Sequence, residues 1–231
     1  MYFCHAPEIW KNFPQLVPGL MVVDGIHQNV DVEKYLQPRF EQARERLSRE
    51  KESQMPEIAA WRRAYSQMGF KPSKYRSAAE ALLRRFKREN YMPRLHPLVD
   101  ICNATSLAFA LPVAVIDLER VEEYLEVCYA KGTEQYLSFS GEIETPSPGE
   151  VIFVDAANQV HARRWTFRQS RTSTIRPETT QVLIISEGLH ETADQDVGAV
   201  IDSLSEIISS LWSPPKCQTT LTKESPQVHF L

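Results

Sequence analysis

The chain of 231 residues and 26.5 kDa is long enough for one large domain with a sizeable core, and its 42% hydrophobic and 24% charged fractions exclude a wholly disordered or fibrous protein. No run of eighteen apolar residues occurs, and the opening MYFCHAPEIWK lacks the basic head and apolar centre of a signal peptide, so a cytoplasmic protein with no membrane segment is expected. The net charge of −4 is uneven: Arg62 to Arg94 carries ten Lys or Arg against Glu80 and Glu89, a local +8 that leaves −12 for the remainder.

In chain order, residues 14–32 hold a short apolar run broken by Pro18 and Gly19, which predicts a strand followed by a turn. Val32 to Ser53, dense in Glu, Arg, Gln and Lys, predicts a long helix that buries a narrow stripe. A second helix is expected from Pro56 to Met68, ended at Gly69. Ser77-Ala-Ala-Glu80 is a capping box ahead of Leu82, Leu83 and Phe86, and it starts a helix whose outer face is basic. Leu98 to Leu107 reads as a mostly buried helix ended by Pro112, within which Asp100 and Asn103 share a face. Those two polar groups either tie down a neighbouring loop or point into a polar pocket.

From Val113 the texture changes to short runs at 113–117, 123–130, 135–139, 150–155, 159–166 and 181–186, punctuated by Gly132, Gly141 and Pro-Ser-Pro-Gly at 146–149. A mainly antiparallel sheet follows from this, then a helix over 194–212 with one broad apolar face, and a polar, mobile tail at 213–231. Helices, then strands, then a closing helix make an α+β fold, with residues 1–212 expected as a single domain.

Cys4, Cys102, Cys128 and Cys217 lie far apart with no CxxC pair, and the histidines show no HExxH spacing, so no metal site is expected. Dinucleotide and P-loop chemistry lack their glycine-rich loops, a serine nucleophile lacks its GxSxG elbow, and nothing calls for a cofactor. The basic stretch suggests a polyanion partner, the plainer alternative being a solvated basic helix face. The segment HARRWTFRQSRTSTIR, residues 161–176, differs in kind. It holds five arginines, five hydroxyl residues, Trp165, Phe167 and Gln169, with no acid between Asp155 and Glu178. Such a strand and loop can hold a phosphate or carboxylate while an aromatic face stacks a base; otherwise it is a sheet surface whose arginines pair with acids elsewhere.

The runs WRRAYSQMGFKPSKYRSAAEALLRRF, LHPLVDICNATSLAFALPVAVID, PSPGEVIFVD and HARRWTFRQSRTSTI, taken in order over about residues 10 to 188, resemble the B3/B4 domain. That domain is the editing module of the phenylalanyl-tRNA synthetase β subunit, which hydrolyses tyrosine wrongly esterified to phenylalanine tRNA. The resemblance implies an α+β fold with a pocket at the junction of its two halves and, for a freestanding copy, a trans-editing factor that deacylates mischarged tRNA. The family's pocket asparagine falls on Asn103; its histidine falls on Ala114; the place of its tyrosine-reading glutamate falls near Arg171. Without that acidic reader a smaller or more polar aminoacyl group than tyrosine is expected.

On this basis Asn103 or Thr172 would orient the attacking water, and Arg168 or Gln169 would stabilise the oxyanion. Arg164, Trp165, Ser170 and Arg171 would line the substrate pocket. Lys71, Lys74, Arg76, Arg84, Arg85 and Arg88 would meet the phosphates of the tRNA acceptor end. The competing expectations are a non-catalytic module binding tRNA or an aminoacyl group, and a sensor or enzyme for a free small molecule.

Overall fold

A computed structural model describes residues 1–230. The elements run β1 (Tyr2–His5), α1 (Pro7–Asn12), β2 (Val17–Asp24), α2 (Glu33–Arg49), α3 (Pro56–Gln67), α4 (Ala78–Glu89), α5 (Pro97–Phe109), β3 (Val113–Asp117), β4 (Tyr124–Tyr129), β5 (Gln135–Leu137), β6 (Ile143–Glu144), β7 (Val151–Asp155), β8 (Gln159–Arg163), β9 (Arg168–Gln169), β10 (Gln181–Gly188), α6 (Ala193–Leu211), β11 (Cys217–Thr220) and β12 (Gln227–His229). Short 3₁₀ turns at Glu52–Gln54 and Leu118–Arg120 join α2 to α3 and β3 to β4.

Local chemistry sets the helix ends. Prolines occupy the first turns of α1, α3 and α5, where their missing N–H costs nothing. The Ser77 hydroxyl accepts from the Glu80 N–H at 3.3 Å, the capping contact expected of that motif, and Asn90 closes α4 in the left-handed region at φ 50°.

The strands form two sheets. The larger runs β12-β1-β4-β7-β8-β5-β6 with β9 on β8, and the smaller runs β11-β2-β10-β3. Pairing is antiparallel throughout except for β1 with β4 and β5 with β8. The central strands of the smaller sheet, β2 and β10, are buried on both faces. Because side chains alternate along a strand, Leu20, Val22, Leu183 and Ile185 join one core with Trp61, Trp165 and the larger sheet's Phe3, Leu125 and Phe153. Met21, Val23, Val182 and Ile184 join a second core with α5 and α6. A third cluster, including Met55, Ile58, Leu83, Phe86 and Leu107, lies among the helices. Helix α6 lies directly on strand backbone: a Cβ at Gly19 would stand 2.6 Å from Val197 Cγ1 and 2.8 Å from Ile201 Cγ1.

The tail corrects the expectation of a mobile segment. Strand β11 extends the smaller sheet through β2, with Cys217 opposite Val22, and β12 pairs with β1 at the edge of the larger one. Leu221, between them, is buried. Polar residues suit such an edge strand, whose pairing is decided by an open neighbouring strand rather than by its own hydrophobicity. Truncation after Ser213 exposes Leu221 and strips an edge from both sheets, which is expected to cost about 2 kcal/mol or more. Scanning calorimetry should then show a fall of roughly 4 °C or more in Tm; an unchanged Tm would show that the two terminal strands do not hold the sheets.

Candidate functional site

Helix α5 begins at a histidine. The His96 ring accepts the Leu98 N–H at Nδ1, 3.3 Å away, which leaves the neutral ring's proton on Nε2. Val99 follows three residues on and Asn103 seven, so all three line one face, and that face forms one wall of a cleft of about 480 Å³. Val113 and Val115 from β3 and Gln169, Thr174, Ile175 and Arg176 from the arginine-rich segment form the opposite side. Leu95 and Phe139, 70% and 67% exposed, border the same cleft. The volume is within the range of small-molecule sites.

Three of the polar residues that border this space are Asn103, His96 and Arg176. The Asn103 amide makes no hydrogen bond among the described residues. His96 is buried, and its Nε2 has no partner. Arg176 braces its loop through the carbonyls of Arg171 and Thr172, at 3.4 and 3.3 Å, and forms no ion pair among the described residues. Asp100, on the same helix, takes the other of its two expected roles: Oδ1 accepts the Leu95 N–H at 2.9 Å and ties down the loop before α5. Burial pushes the Asp100 carboxyl above its ordinary range and the His96 imidazole below its own; Asp100 opposes the second shift and His27 adds to it.

A narrower chamber of about 80 Å³ adjoins the cleft, with Val113 and Gln169 in both walls. Ala114, Ile116, Phe153, Trp165 and Ile185 line it, together with the carboxylate of Glu187. Glu187 is buried at the end of β10; His5 Nε2 lies 2.7 Å from Oε1, and Trp165 Nε1 lies 3.1 and 3.0 Å from the two oxygens. Arg164 and Trp165 both have positive φ, 48° and 58°, an uncommon conformation for such residues. The turn is held by Tyr65, which donates to the Arg164 carbonyl at 2.9 Å, and by the Trp165 N–H on the Val151 carbonyl at 2.7 Å.

The arginine-rich segment therefore divides. Trp165 and Arg168 reach the small chamber, and Gln169 reaches both spaces. The Gln169 NH₂ is engaged by the carbonyls of Val115 at 2.7 Å and Ser173 at 3.2 Å, so it is a brace rather than the expected oxyanion donor. Ser170 is buried with its hydroxyl 3.0 Å from the Leu137 carbonyl and 3.2 Å from Thr172 Oγ1. Neither Ser170 nor Thr172 borders either space; Thr174 takes the place expected for Thr172. Arg164 also turns away, with Nε 3.7 Å from Glu150 and its guanidinium over the rings of Tyr75, Phe167 and Phe70. Arg163 binds Glu150 and Glu144. Arg171 is exposed outside both spaces. Arg168 stays half exposed, 3.9 Å from Glu144.

The basic face is partly neutralised by Glu80 and Glu89 of its own segment and by Glu52 from outside it. Glu80 takes Arg62 at 2.7 Å, Arg76 at 3.5 Å and Arg84 at 3.9 Å; Glu52 takes Arg84 at 3.2 Å and Lys87 at 3.6 Å; Glu89 takes Arg85 at 2.8 Å and Arg88 at 2.6 Å. Several cations share each carboxylate, so the face remains positive. Lys71 and Lys74 are exposed and form no ion pair among the described residues. Elsewhere, Glu57, His190 and Asp196 bring ligand-type atoms within 4.8 Å of one another, but Arg46 binds Glu57 at 2.7 and 2.9 Å and supplies the positive charge there. The thiols behave as packing groups, burial pushing Cys128 up to about 12.

The B3/4 domain profile matches residues 60–203, more than half of the chain. The chain belongs to the B3/4 domain family. Among solved structures it is similar to an N-terminal fragment of the phenylalanyl-tRNA synthetase β subunit from Pyrococcus horikoshii, at 9% identity and a TM-score of 0.45, over 90% of this chain and 47% of that one. The chain thus spans about half the length of that fragment. No curated protein matches it. No helix among the described residues is long and apolar enough to cross a membrane.

His96 carries a consequence for stability. Its folded pKa lies below the ordinary value of about 6.5, so the unfolded chain binds the proton more readily and stability falls as the pH drops through that value. The slope has a ceiling of about 1.4 kcal/mol per pH unit for one proton. Denaturant titrations between pH 7.5 and 5.5 should show this loss, and His96→Asn, which keeps an acceptor at the helix cap, should flatten it; an equal slope in both proteins would contradict the buried neutral ring.

Proposed function

We propose that the protein is a trans-acting hydrolase that removes a wrongly attached amino acid, other than tyrosine, from tRNA. The observation that carries this is the cleft beside Asn103, where an amide without a protein partner borders a space large enough for a nucleoside and the buried His96 ring, its Nε2 unpartnered, lies in the wall. Family membership and the synthetase-related domain it describes support a tRNA-linked role.

The aminoacyl ester is already activated, so binding and orientation supply most of what hydrolysis needs. Nδ1 of His96 holds the α5 cap and Nε2 carries the proton, so His96 acts as a donor and not as a base. As the family resemblance implies, the vicinal ribose hydroxyl holds the water, with the Asn103 amide fixing its other side. The water oxygen bonds to the carbonyl carbon, and the tetrahedral oxyanion accepts from His96 Nε2–H and Arg168 or Arg176. The bond from carbon to ribose oxygen then breaks, and that oxygen takes the proton given up by the water. Free amino acid and uncharged tRNA result. Phe139 and Leu95 at the mouth offer a face on which the terminal base stacks. Lys71 and Lys74, with the positive remainder of Arg76, Arg84, Arg85 and Arg88, meet the acceptor-stem phosphates.

Incubation with a panel of mischarged tRNAs should release amino acid, and His96→Ala or Asn103→Ala should lower kcat about a hundredfold, the Asn103 variant with Tm retained. No release from any charged tRNA above a buffer control would reject the hydrolase. The Ala114 position and the engaged Gln169 amide favour, as second reading, a module that binds tRNA without turnover; filter binding beside the hydrolysis assay separates the two. In that binding assay Lys71→Glu with Lys74→Glu should reduce the salt dependence by about two charges, whereas a slope equal to that of the wild type would place the RNA elsewhere.

A further inference from the structure

The narrow chamber beside Gln169 differs from the cleft in size and chemistry. Its volume of about 80 Å³ is that of two or three waters at roughly 30 Å³ each, whereas a cavity that holds benzene is nearer 150 Å³. A side chain of about three non-hydrogen atoms fits this volume more closely than a phenyl or phenol ring. Most of the wall is apolar: Ala114, Ile116, Phe153, Ile185 and the face of Trp165.

Glu187, near the end of β10, is the one carboxylate in the wall, which also includes Thr166, Arg168 and Gln169. Its Oε1 receives His5 Nε2 at 2.7 Å and shares the Trp165 N–H, while Oε2 receives that same N–H alone, at 3.0 Å. Trp61 donates to the Glu187 carbonyl at 3.3 Å. The Trp165 indole is itself fixed, edge-on to Phe13 and Trp61 with ring centres 4.8 and 5.0 Å away. The carboxylate is thus held rigid in the chamber wall, with acceptor capacity left on Oε2. A hydroxyl on the guest satisfies that oxygen; a methyl in the same place removes water from it and returns nothing.

We infer that this chamber takes the amino-acid side chain and selects a small hydroxyl-bearing one, of the threonine or serine class, with Glu187 as the residue that accepts its hydrogen bond. The inference rests on the proposed action at an acylated RNA end, and it assigns the cleft to the nucleoside and the chamber to the acyl group.

Threonine and valine differ by hydroxyl against methyl at one size, so they form the deciding pair. Two arms separate this inference from the hydrolase itself. In the first, kcat/KM is measured on one tRNA carrying threonyl, valyl or tyrosyl ester; threonyl should exceed valyl about a hundredfold and tyrosyl should not be cleaved. In the second, thermal-shift titration compares 3′-threonylamino-3′-deoxyadenosine with its valyl counterpart, which need no turnover; the threonyl compound should bind at least about tenfold tighter. Glu187→Gln should reduce the binding preference at least about tenfold, and if that variant fails to fold, the wild-type comparison still decides. Equal binding of the two analogues, or tyrosyl cleavage at the threonyl rate, overturns the inference. Selective binding with no cleavage of any ester upholds the chamber and rejects the hydrolase.

Discussion

Strand β10 is buried on both faces, and the rest of the molecule is arranged by that constraint. Its odd-numbered Leu183 and Ile185 face the larger sheet, its even-numbered Val182 and Ile184 face α5 and α6, and both sets lie in hydrophobic cores. Helix α6 approaches closely because Gly19 and Gly188 present no side chain; a Cβ at Gly188 would stand 2.8 Å from Ala193 Cβ. The same strand carries Glu187, bound to Trp165, next to its last residue, and its neighbour β3 supplies Val113 to both cavities. The walls of the site are therefore parts of the core, held by packing rather than by loops alone.

Charge in this protein is managed by pairing. A count of arginines between residues 161 and 176 suggests a strongly cationic surface, but Arg163 and Arg164 converge on Glu150 from the turn between β6 and β7. On the helices Glu80 collects three arginines, and burial still pushes its carboxyl upward against them. Arg176 beside the cleft and Lys71 and Lys74 on the surface form no ion pair among the described residues.

Much of the fold was legible because its signals are local. The Ser77 capping box, the prolines at 56 and 97 and the 3.6-residue spacing from Val197 to Ile208 each act within a few residues, and each element formed where those residues stand. β11 and β12 were not legible, because Cys217–Thr220 and Gln227–His229 acquire their structure from the open edges of β2 and β1. The site was half legible. Asn103 stood out as an amide in an apolar helix, and it does open into the cleft; Asp100, three residues before it, caps a loop instead. His96 was missed although Pro97 marks a helix start directly after it, the one local signal that a capping side chain lies there. Glu187 had no local signal: only the meeting of β10 with His5, Trp61 and Trp165 makes that carboxylate part of a cavity. Thr172 and Thr174 could not be told apart, since a loop's turn decides which hydroxyl faces inward.

The central claim is that the space between α5 and the loop at 168–177 receives the acylated end of an RNA. Nuclear magnetic resonance on the full chain labelled at side-chain nitrogens tests it most directly, with a short RNA hairpin ending in a non-hydrolysable aminoacyl adenosine as titrant. The account predicts saturable shifts of the His96 Nε2–H and the Asn103 amide, both absent with an uncharged hairpin. Shifts confined to the α4 surface, with both groups unmoved, would contradict it.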